Sequence, residues 1–332
     1  MKIIRQILLS GVALLAIAPR APAWDSLGHM LAAQIAWNQL TPKAREALTE
    51  AVIRFNASKK GDWPDDQASY DAVTVSCWMD DIRSFPEKYN FGKWHYINLP
   101  FTHDGLPFPD GESEPNVVWG IQRCRDIISG KVEDPAIDRD QALAMLMHLI
   151  GDVHQPLHTT NRNNDAGGNR VALKNVDKTK EEQLYSKGKN VNLHAFWDSS
   201  YRRTFRGGKA DVLYEAPLYE RNKPLSGHGS AEAIIRREAA AIEKKYPSSL
   251  IMKEADPEEW AKESHEEGYD FAYGKLPGQS PTGATARVDE RYVTTAREIA
   301  RKRLAMAGYR MGAMLNDLLA AKPEQEPAQA TP

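Results

Sequence analysis

Apolar positions recur at helical spacing through most of the chain, and period-two alternation is nearly absent. From His29 to Leu40 small and apolar residues share one face, and Thr41-Pro42 then supplies a cap and a first-turn proline for a second helix running to about Asn56. The same periodicity predicts helices over 66–84, 115–130, 138–154, 231–245, 256–272 and 285–320. The last carries the clearest stripe: Ile299, Leu304, Ala307, Met311, Met314, Leu315 and Leu318. Strand signals are confined to Arg170–Leu173, and loops are expected over 98–114, 159–191, 203–230 and 273–284. The pattern predicts an all-α chain with long loops and no internal repeat.

Both ends depart from this pattern. Lys2 and Arg5, an apolar stretch from Ile7 to Ala18 and the exit Ala21-Pro22-Ala23 have the three parts of a secretory signal peptide, so residues 1–23 are expected to be removed. The apolar stretch is short of the ~20 residues that span a bilayer, and no other segment is long and uncharged enough, so no membrane anchor is expected. Cleavage after Ala23 makes Trp24 the first residue of a secreted or periplasmic protein and turns its backbone nitrogen into a free amine. Residues 24–322 are long enough for a single domain with a substantial core, and the Pro, Gln and Glu of 323–332 predict a disordered tail.

Charge narrows the field. A formal net charge of -2 and a pI near 6.5 give no long-range funnel for a polyanion, which excludes a basic-groove nucleic-acid binder. Any affinity for phosphate must be local. Cys77 and Cys124 form no Cys-x-x-Cys pair, which argues against a zinc knuckle or a redox motif. In an oxidising compartment a Cys77–Cys124 disulfide is expected, the alternative being two buried free thiols. Lys174 to Lys189 reads as a solvated, partly helical excursion.

The chemistry lies in the histidines. His-x-x-x-Asp occurs at His148/Asp152 and at His194/Asp198, with His158 between them and His29, Asp80 and His95 upstream. Residues four apart on a helix share a face, with β-carbons about 6 Å apart, close enough to serve one ion or two adjacent ones. One such motif is a hydrogen-bonded pair as readily as a ligand pair, and the second copy with three further histidines favours metal. Around His148 and Asp152 the helix offers Leu143, Leu146, Met147, Leu149 and Ile150, so an imidazole and a carboxylate buried there need a partner or an ion. Pro156 stops that helix and lets His158 turn back towards it. His154 is left as a cap or a supporting group, and His103, His228 and His265 as solvated. Imidazoles mixed with carboxylates and no thiolate suit zinc better than calcium or magnesium, with iron and manganese as alternatives.

The segment His148-Leu149-Ile150-Gly151-Asp152-Val153-His154-Gln155-Pro156-Leu157-His158, the segment Asn192-Leu193-His194-Ala195-Phe196-Trp197-Asp198, the pair Trp24/His29 and the stretch Trp78-Met79-Asp80-Asp81-Ile82-Arg83 resemble the zinc-dependent single-strand-specific (type I) nucleases of fungi and plants. That family is related in fold to zinc phospholipase C. The likeness runs in order from Trp24 to Asp198 and continues more weakly at Ala307-Gly308-Tyr309-Arg310. It implies a single, mainly helical domain whose long loops surround a cleft with three zinc ions. One ion would be held by Asp80, His95, His148 and Asp152, a second by the Trp24 amine and carbonyl, His29 and a bridging Asp152, and the third by His158, His194 and Asp198.

The resemblance also implies a reaction. Hydroxide generated at zinc attacks phosphorus, with Asp80 and Asp152 in the catalytic metal set and Arg83 neutralising the phosphate; the other reading of Arg83 is an ion pair with Asp80 or Asp81. Tyr96 matches an aromatic that stacks on a base, against plain packing, and Asn169 matches a base-pocket residue. Asn98 stands where the fungal pattern has an aspartate that contacts the base, and the loop after His158 is slightly longer, so base preference is open. The implied substrates are single-stranded DNA and RNA, cut to 5′-phosphorylated products, and 3′-nucleotides, with the protein acting as a monomer. The competing readings are a phospholipase C-like phosphodiesterase and a zinc-binding protein without turnover.

Overall fold

Short polar side chains start most of the early helices. Asp25 Oδ1 accepts from Gly28 N at 3.1 Å to begin α1 (Ser26–Gln39), and Thr41 Oγ1 accepts from Ala44 N at 3.2 Å to begin α2 (Pro42–Ser58). A computed structural model describes residues 24–59, 69–85, 87–101, 114–185, 190–215, 229–251, 256–280 and 282–320. The leader, the 323–332 tail, His103 and His228 lie outside the described residues.

The helix expected over 66–84 is a correction. Within its described part the chain makes three short turns: 3-10 turns at Thr74–Cys77 and Ile82–Ser84 flank the brief α3 (Trp78–Asp81). Asp71 Oδ1 takes the amides of Val73 and Thr74, both at 2.9 Å, and such local bonding competes with a regular helix. α4 (Val117–Ile128), capped by Asn116, and α5 (Arg139–Val153), capped by Asp138, fall where the periodicity put them. α6 (Lys180–Tyr185) lies in the charge-rich excursion, which is less solvated than expected: Asn175 and Thr179 are buried, and Asn175 bonds both the amide and the carbonyl of Val288. The six-residue α7 (Leu193–Asp198), capped by Asn192, is too short to show a period. α8 (Gly229–Lys245), α9 (Ser248–Ile251), α10 (Pro257–Glu267) with a π-helical turn at Gly268–Tyr273, and α11 (Glu290–Ala320) complete the helices.

The protein is an all-α domain with small sheet additions. β1 (Leu99–Phe101) runs parallel to β2 (Thr160–Arg162), β3 (Ala172–Leu173) parallel to β6 (Thr285–Ala286), and β4 (Arg203–Arg206) antiparallel to β5 (Lys209–Val212). The β4–β5 hairpin stands where a loop was expected. Gly207 and Gly208, at φ 56 and 81, supply the two positive-φ positions that a two-residue hairpin turn needs, so the signal was present in the sequence.

Two apolar clusters form the interior. The larger gathers α1, α2, α4, α5, α8 and α11; the smaller packs Leu157, Leu173, Leu193, Phe196 and Trp197 against Tyr292, Val293 and Ala296. Cys77 and Cys124 are both buried free thiols, which corrects the expected disulfide. Cys77 Sγ is directed at the Ser26 carbonyl of α1 at 3.4 Å, whereas Cys124 belongs to the buried face of α4. No helix among the described residues is long and apolar enough to cross a membrane.

α11 lies along α1, and small residues let the backbones approach. A Cβ on Gly308 would stand 2.5 Å from Ile35 Cβ and 2.9 Å from the Ala32 carbonyl oxygen. Gly308→Ala is expected to lower the urea midpoint. Overpacking costs about 1–3 kcal/mol and outweighs the about 1 kcal/mol of helix propensity that alanine gains; an unchanged or higher midpoint would contradict this close packing.

Candidate metal centre

α5 carries His148 and Asp152 on one face, both with zero exposure, among the buried Leu143, Leu146, Met147, Leu149 and Ile150. α1 brings in His29 one turn from its start, and the His29 ring stacks on His148 with centroids 4.0 Å apart. α3 supplies Asp80, and the 3-10 turn Gly92–His95 supplies His95. Asp152 joins them. Its Oδ2 lies 3.0 Å from His95 Nδ1 and 3.2 Å from His148 Nε2, and its Oδ1 lies 3.3 Å from His29 Nε2. Asp80 Oδ1 is 3.9 Å from both His95 Nδ1 and His148 Nε2, and 3.0 Å from Arg83 Nη1.

A second group comes from the turn that follows α5 and from α7. His158, in the turn Pro156–His158, and His194 of α7 bring their Nε2 atoms to 3.1 Å, and Asp198 Oδ1 lies 3.8 Å from His194 Nε2. The ligand atoms therefore fall into three sets, each within 4.8 Å: His29, His148 and Asp152; Asp80, His95 and His148; and His158, His194 and Asp198. All eight histidine and aspartate side chains singled out as ligands converge.

Backbone carbonyls set the imidazoles. Nδ1 of His148 meets Ser76 O at 2.7 Å, Nδ1 of His158 meets His95 O at 2.6 Å, and Nδ1 of His194 meets Gly167 O at 2.7 Å. A carbonyl only accepts, so each Nδ1 carries the hydrogen and each Nε2 is directed at the centre. Burial lowers the pKa of His158, and burial with the His158 charge lowers that of His194 to about 3. Both rings are then neutral, with Nε2 lone pairs facing one another, an arrangement that a cation between them relieves. Burial lowers His29, and burial followed by the Arg83 charge lowers His95 to about 4. His148 goes the other way. Burial opposes its charge, but the carboxylates of Asp152 and Asp80 outweigh it and raise the pKa to about 9. Positive charge is favoured between those two aspartates.

The donor set fits a divalent cation. Both ring nitrogens of His29, Oδ1 of Asp152 and Oδ2 of Asp198 are buried without a hydrogen-bond partner, although His29 Nε2 and Asp152 Oδ1 approach closely. Such atoms are costly to bury unless something coordinates them. Burial also pushes Asp198 well above the usual carboxylate range, against the Gln155 hydrogen bond, and an adjacent cation would restore its ionised form.

Other expected residues fall around these sets. Trp24 is fully buried, its Nε1 donating to Gly151 O at 2.9 Å. Arg83 pairs with Asp80, its side chain 21 % exposed and that of Asp80 6 %. Tyr96 and Asn98 are half-buried in the segment that leaves His95 towards β1, and Ile97 N between them donates to His158 O at 2.9 Å. Asn169 is half-buried, its Nδ2 on Ala166 O at 2.8 Å and its Oδ1 accepting from Asn192 Nδ2 at 3.3 Å, so it is tied to the loop whose Gly167 carbonyl orients His194. His154 caps Ile150 O through Nδ1 and takes Arg310 Nη1 on Nε2, which leaves no nitrogen for metal. His265 is not solvated as expected: it is half-buried, with Nδ1 3.1 Å from Thr159 O.

Gln155 was not assigned a part from the sequence. Its Nε2 donates to Asp198 Oδ1 at 2.6 Å while its Oε1 accepts from Leu157 N at 2.6 Å, so one buried amide orients the Asp198 carboxylate and shapes the turn to His158. Its place between two ligands in the quoted segment was the available signal. The carbonyls of Ser76, His95 and Gly167 left none.

Fold and site together define an all-α protein built around buried histidine and aspartate side chains that fall into three groups able to hold a metal ion. The S1/P1 Nuclease family model matches residues 24–320, and the chain belongs to that family. It is 27% identical over 316 residues to Endonuclease 2 of Arabidopsis thaliana, covering 91% of this chain and 93% of that one. It is 27% identical over 320 residues to Nuclease S1 of Aspergillus oryzae, covering 94% and 96%, and 25% identical over 202 residues to Nuclease P1 of Penicillium citrinum, covering 56% and 61%. The protein is thus a nuclease, a hydrolase of the phosphodiester bonds of nucleic acids.

Gly151 tests the geometry without replacing any of the eight converging side chains. A Cβ there would stand 2.8 Å from His29 Nδ1 and 3.1 Å from His29 Cε1. Gly151→Ala is expected to displace the ring and weaken metal retention about 10–100-fold, the range for disturbed supporting groups, with an unchanged far-UV circular dichroism spectrum. Wild-type retention in a chelator titration would remove His29 from the ligand set.

Proposed function

We propose that the protein is an extracytoplasmic zinc nuclease that cuts single-stranded DNA and RNA to 5′-phosphorylated products and removes phosphate from 3′-nucleotides. The convergence of eight histidine and aspartate side chains into three sets supports a site for three zinc ions. Bound zinc supplies Lewis-acid charge and a water of lowered pKa. Asp152, with its two oxygens aimed at different imidazoles, spans the first two sets. The backbone nitrogen of Trp24, freed by cleavage after Ala23, completes the set around His29 and Asp152. Three zincs set against Asp80, Asp152 and Asp198 leave about three positive charges, a local attraction for phosphate in a chain whose net charge is -2.

The chain's own groups position the substrate. Arg83, anchored on Asp80 and partly exposed, offers its guanidinium to a phosphate oxygen. Tyr96, half-buried beside His95, offers a ring on which any base stacks, and Asn98 and Asn169 offer polar groups to its edge. Bases in a duplex are already stacked and paired, so such a platform selects single strands.

Two measurements test this. Mature protein beginning at Trp24 should hold three zincs and release acid-soluble nucleotides from single-stranded DNA and RNA, and one additional N-terminal alanine should remove an ion and most of the activity. Full zinc and full activity in the extended form would sink the amine ligand, and release of choline phosphate without nucleotide release would turn the reading to a lipid phosphodiesterase. Tyr96→Ala should cost about 1–3 kcal/mol in kcat/KM on single strands while Tyr96→Phe retains it. An alanine variant equal to wild type would return Tyr96 to packing alone.

A further inference from the structure

We infer that Asp25 is a positioning residue for the metal centre: Tyr201 and Arg202 grip its carboxylate and thereby hold the Trp24 backbone and the first turn of α1 against the ligands. The inference rests on the reading that the Trp24 amine is a ligand. Asp25 is 4 % exposed, Arg202 2 % and Tyr201 not at all. Asp25 Oδ2 accepts from Arg202 Nη2 at 2.5 Å and Nε at 3.1 Å, while Oδ1 accepts from the Tyr201 hydroxyl at 2.5 Å and from Gly28 N at 3.1 Å. The remaining fork of Arg202 is held by Tyr214 O at 2.8 Å and Glu215 Oε2 at 2.9 Å.

The backbone of Asp25 faces the ligands on both sides. Its N–H donates to the carbonyl of Asp198 at 3.1 Å, and its carbonyl accepts from His29 N at 3.2 Å. Tyr201 and Arg202 follow Asp198 in the turn Ser200–Arg202, and the Tyr201 ring packs edge-on against Trp24 with centroids 6.1 Å apart. Residues just after one ligand therefore grip the residue just after another. Helix capping does not account for this, because capping needs one oxygen and a serine supplies it. Burying a carboxylate against a guanidinium adds a desolvation cost that capping does not require. What the pair adds is a fixed geometry at a chain end, where backbone is otherwise poorly ordered.

The test compares mature protein beginning at Trp24, the same protein with one additional N-terminal alanine, and the variants Asp25→Ser, Asp25→Ser/Arg202→Leu and Tyr201→Phe. Each is loaded with zinc and titrated with a chelator, with thermal midpoints recorded alongside. Asp25→Ser keeps the cap and loses the clamp, and the most weakly held zinc should dissociate about 10–100-fold more readily. The double variant removes the guanidinium that Asp25→Ser deprives of its Nε and Nη2 partner, and should regain thermal midpoint but not zinc affinity. Tyr201→Phe loses one hydroxyl, keeps the ring on Trp24 and should weaken zinc by a smaller factor, a readout that holds if the charged variants do not fold. Wild-type zinc affinity in Asp25→Ser or in Tyr201→Phe, or its recovery together with the midpoint in the double variant, would overturn the clamp. Full affinity in the alanine-extended protein would instead remove the amine reading, and the clamp with it.

Discussion

Asp152 has no exposed surface, and its two oxygens lie within 3.3 Å of three imidazoles from three different parts of the chain. An isolated carboxylate in so apolar a helix would be neutralised or expelled, since the solvation it loses must be replaced by charge or hydrogen bonds at short range. His29, His95 and His148 supply part of that replacement, and Asp152 Oδ1 remains without a hydrogen-bond partner. The packing of α1, α5 and the Gly92–His95 turn around this one side chain follows from that need.

The outer layer of contacts is mostly backbone. Carbonyls of Ser76, His95 and Gly167 orient His148, His158 and His194, and the amide of Gln155 orients Asp198. The irregular turns around 74–84 and 92–95 thus have a physical reason: a regular helix turns its carbonyls to its own amides, whereas these turns leave the carbonyls of Ser76 and His95 free for imidazoles. The loop at 163–169 reaches the same end through positive φ at Asn163, Asn164, Ala166, Gly167 and Gly168, held from below by Asp165, which accepts from Gly168 N and from the Tyr273 hydroxyl.

Much of this was legible in the chain. Long periodic segments located α1, α2, α4, α5, α8 and α11, because burial of one helical face imposes a spacing that survives in the sequence. Two His-x-x-x-Asp repeats and their flanking histidines marked the side chains that converge, because a buried imidazole–carboxylate pair is too costly to recur in an apolar setting without cause. The short elements were not legible. Six residues of α7 span less than two turns and show no period, and the turns at 74–84 follow Asp71 side-chain bonds that override helical spacing; only the β4–β5 hairpin left a signal, the Gly207-Gly208 pair, within a stretch of loop composition.

The sequence by itself determined the helical class, the identity of the metal-type side chains and their local pairing, all of which depend on residue type and on separations of three to four residues along one helix. Tertiary structure alone decided that Cys77 and Cys124 stay apart as free thiols, that His154 is used by Ile150 and Arg310, and that Asp25 is gripped by residues 176 and 177 positions away. Those outcomes depend on which faces meet when the helices and the turns at 74–77 and 200–202 pack. Periodicity says that a face is buried; it does not say what lies across from it.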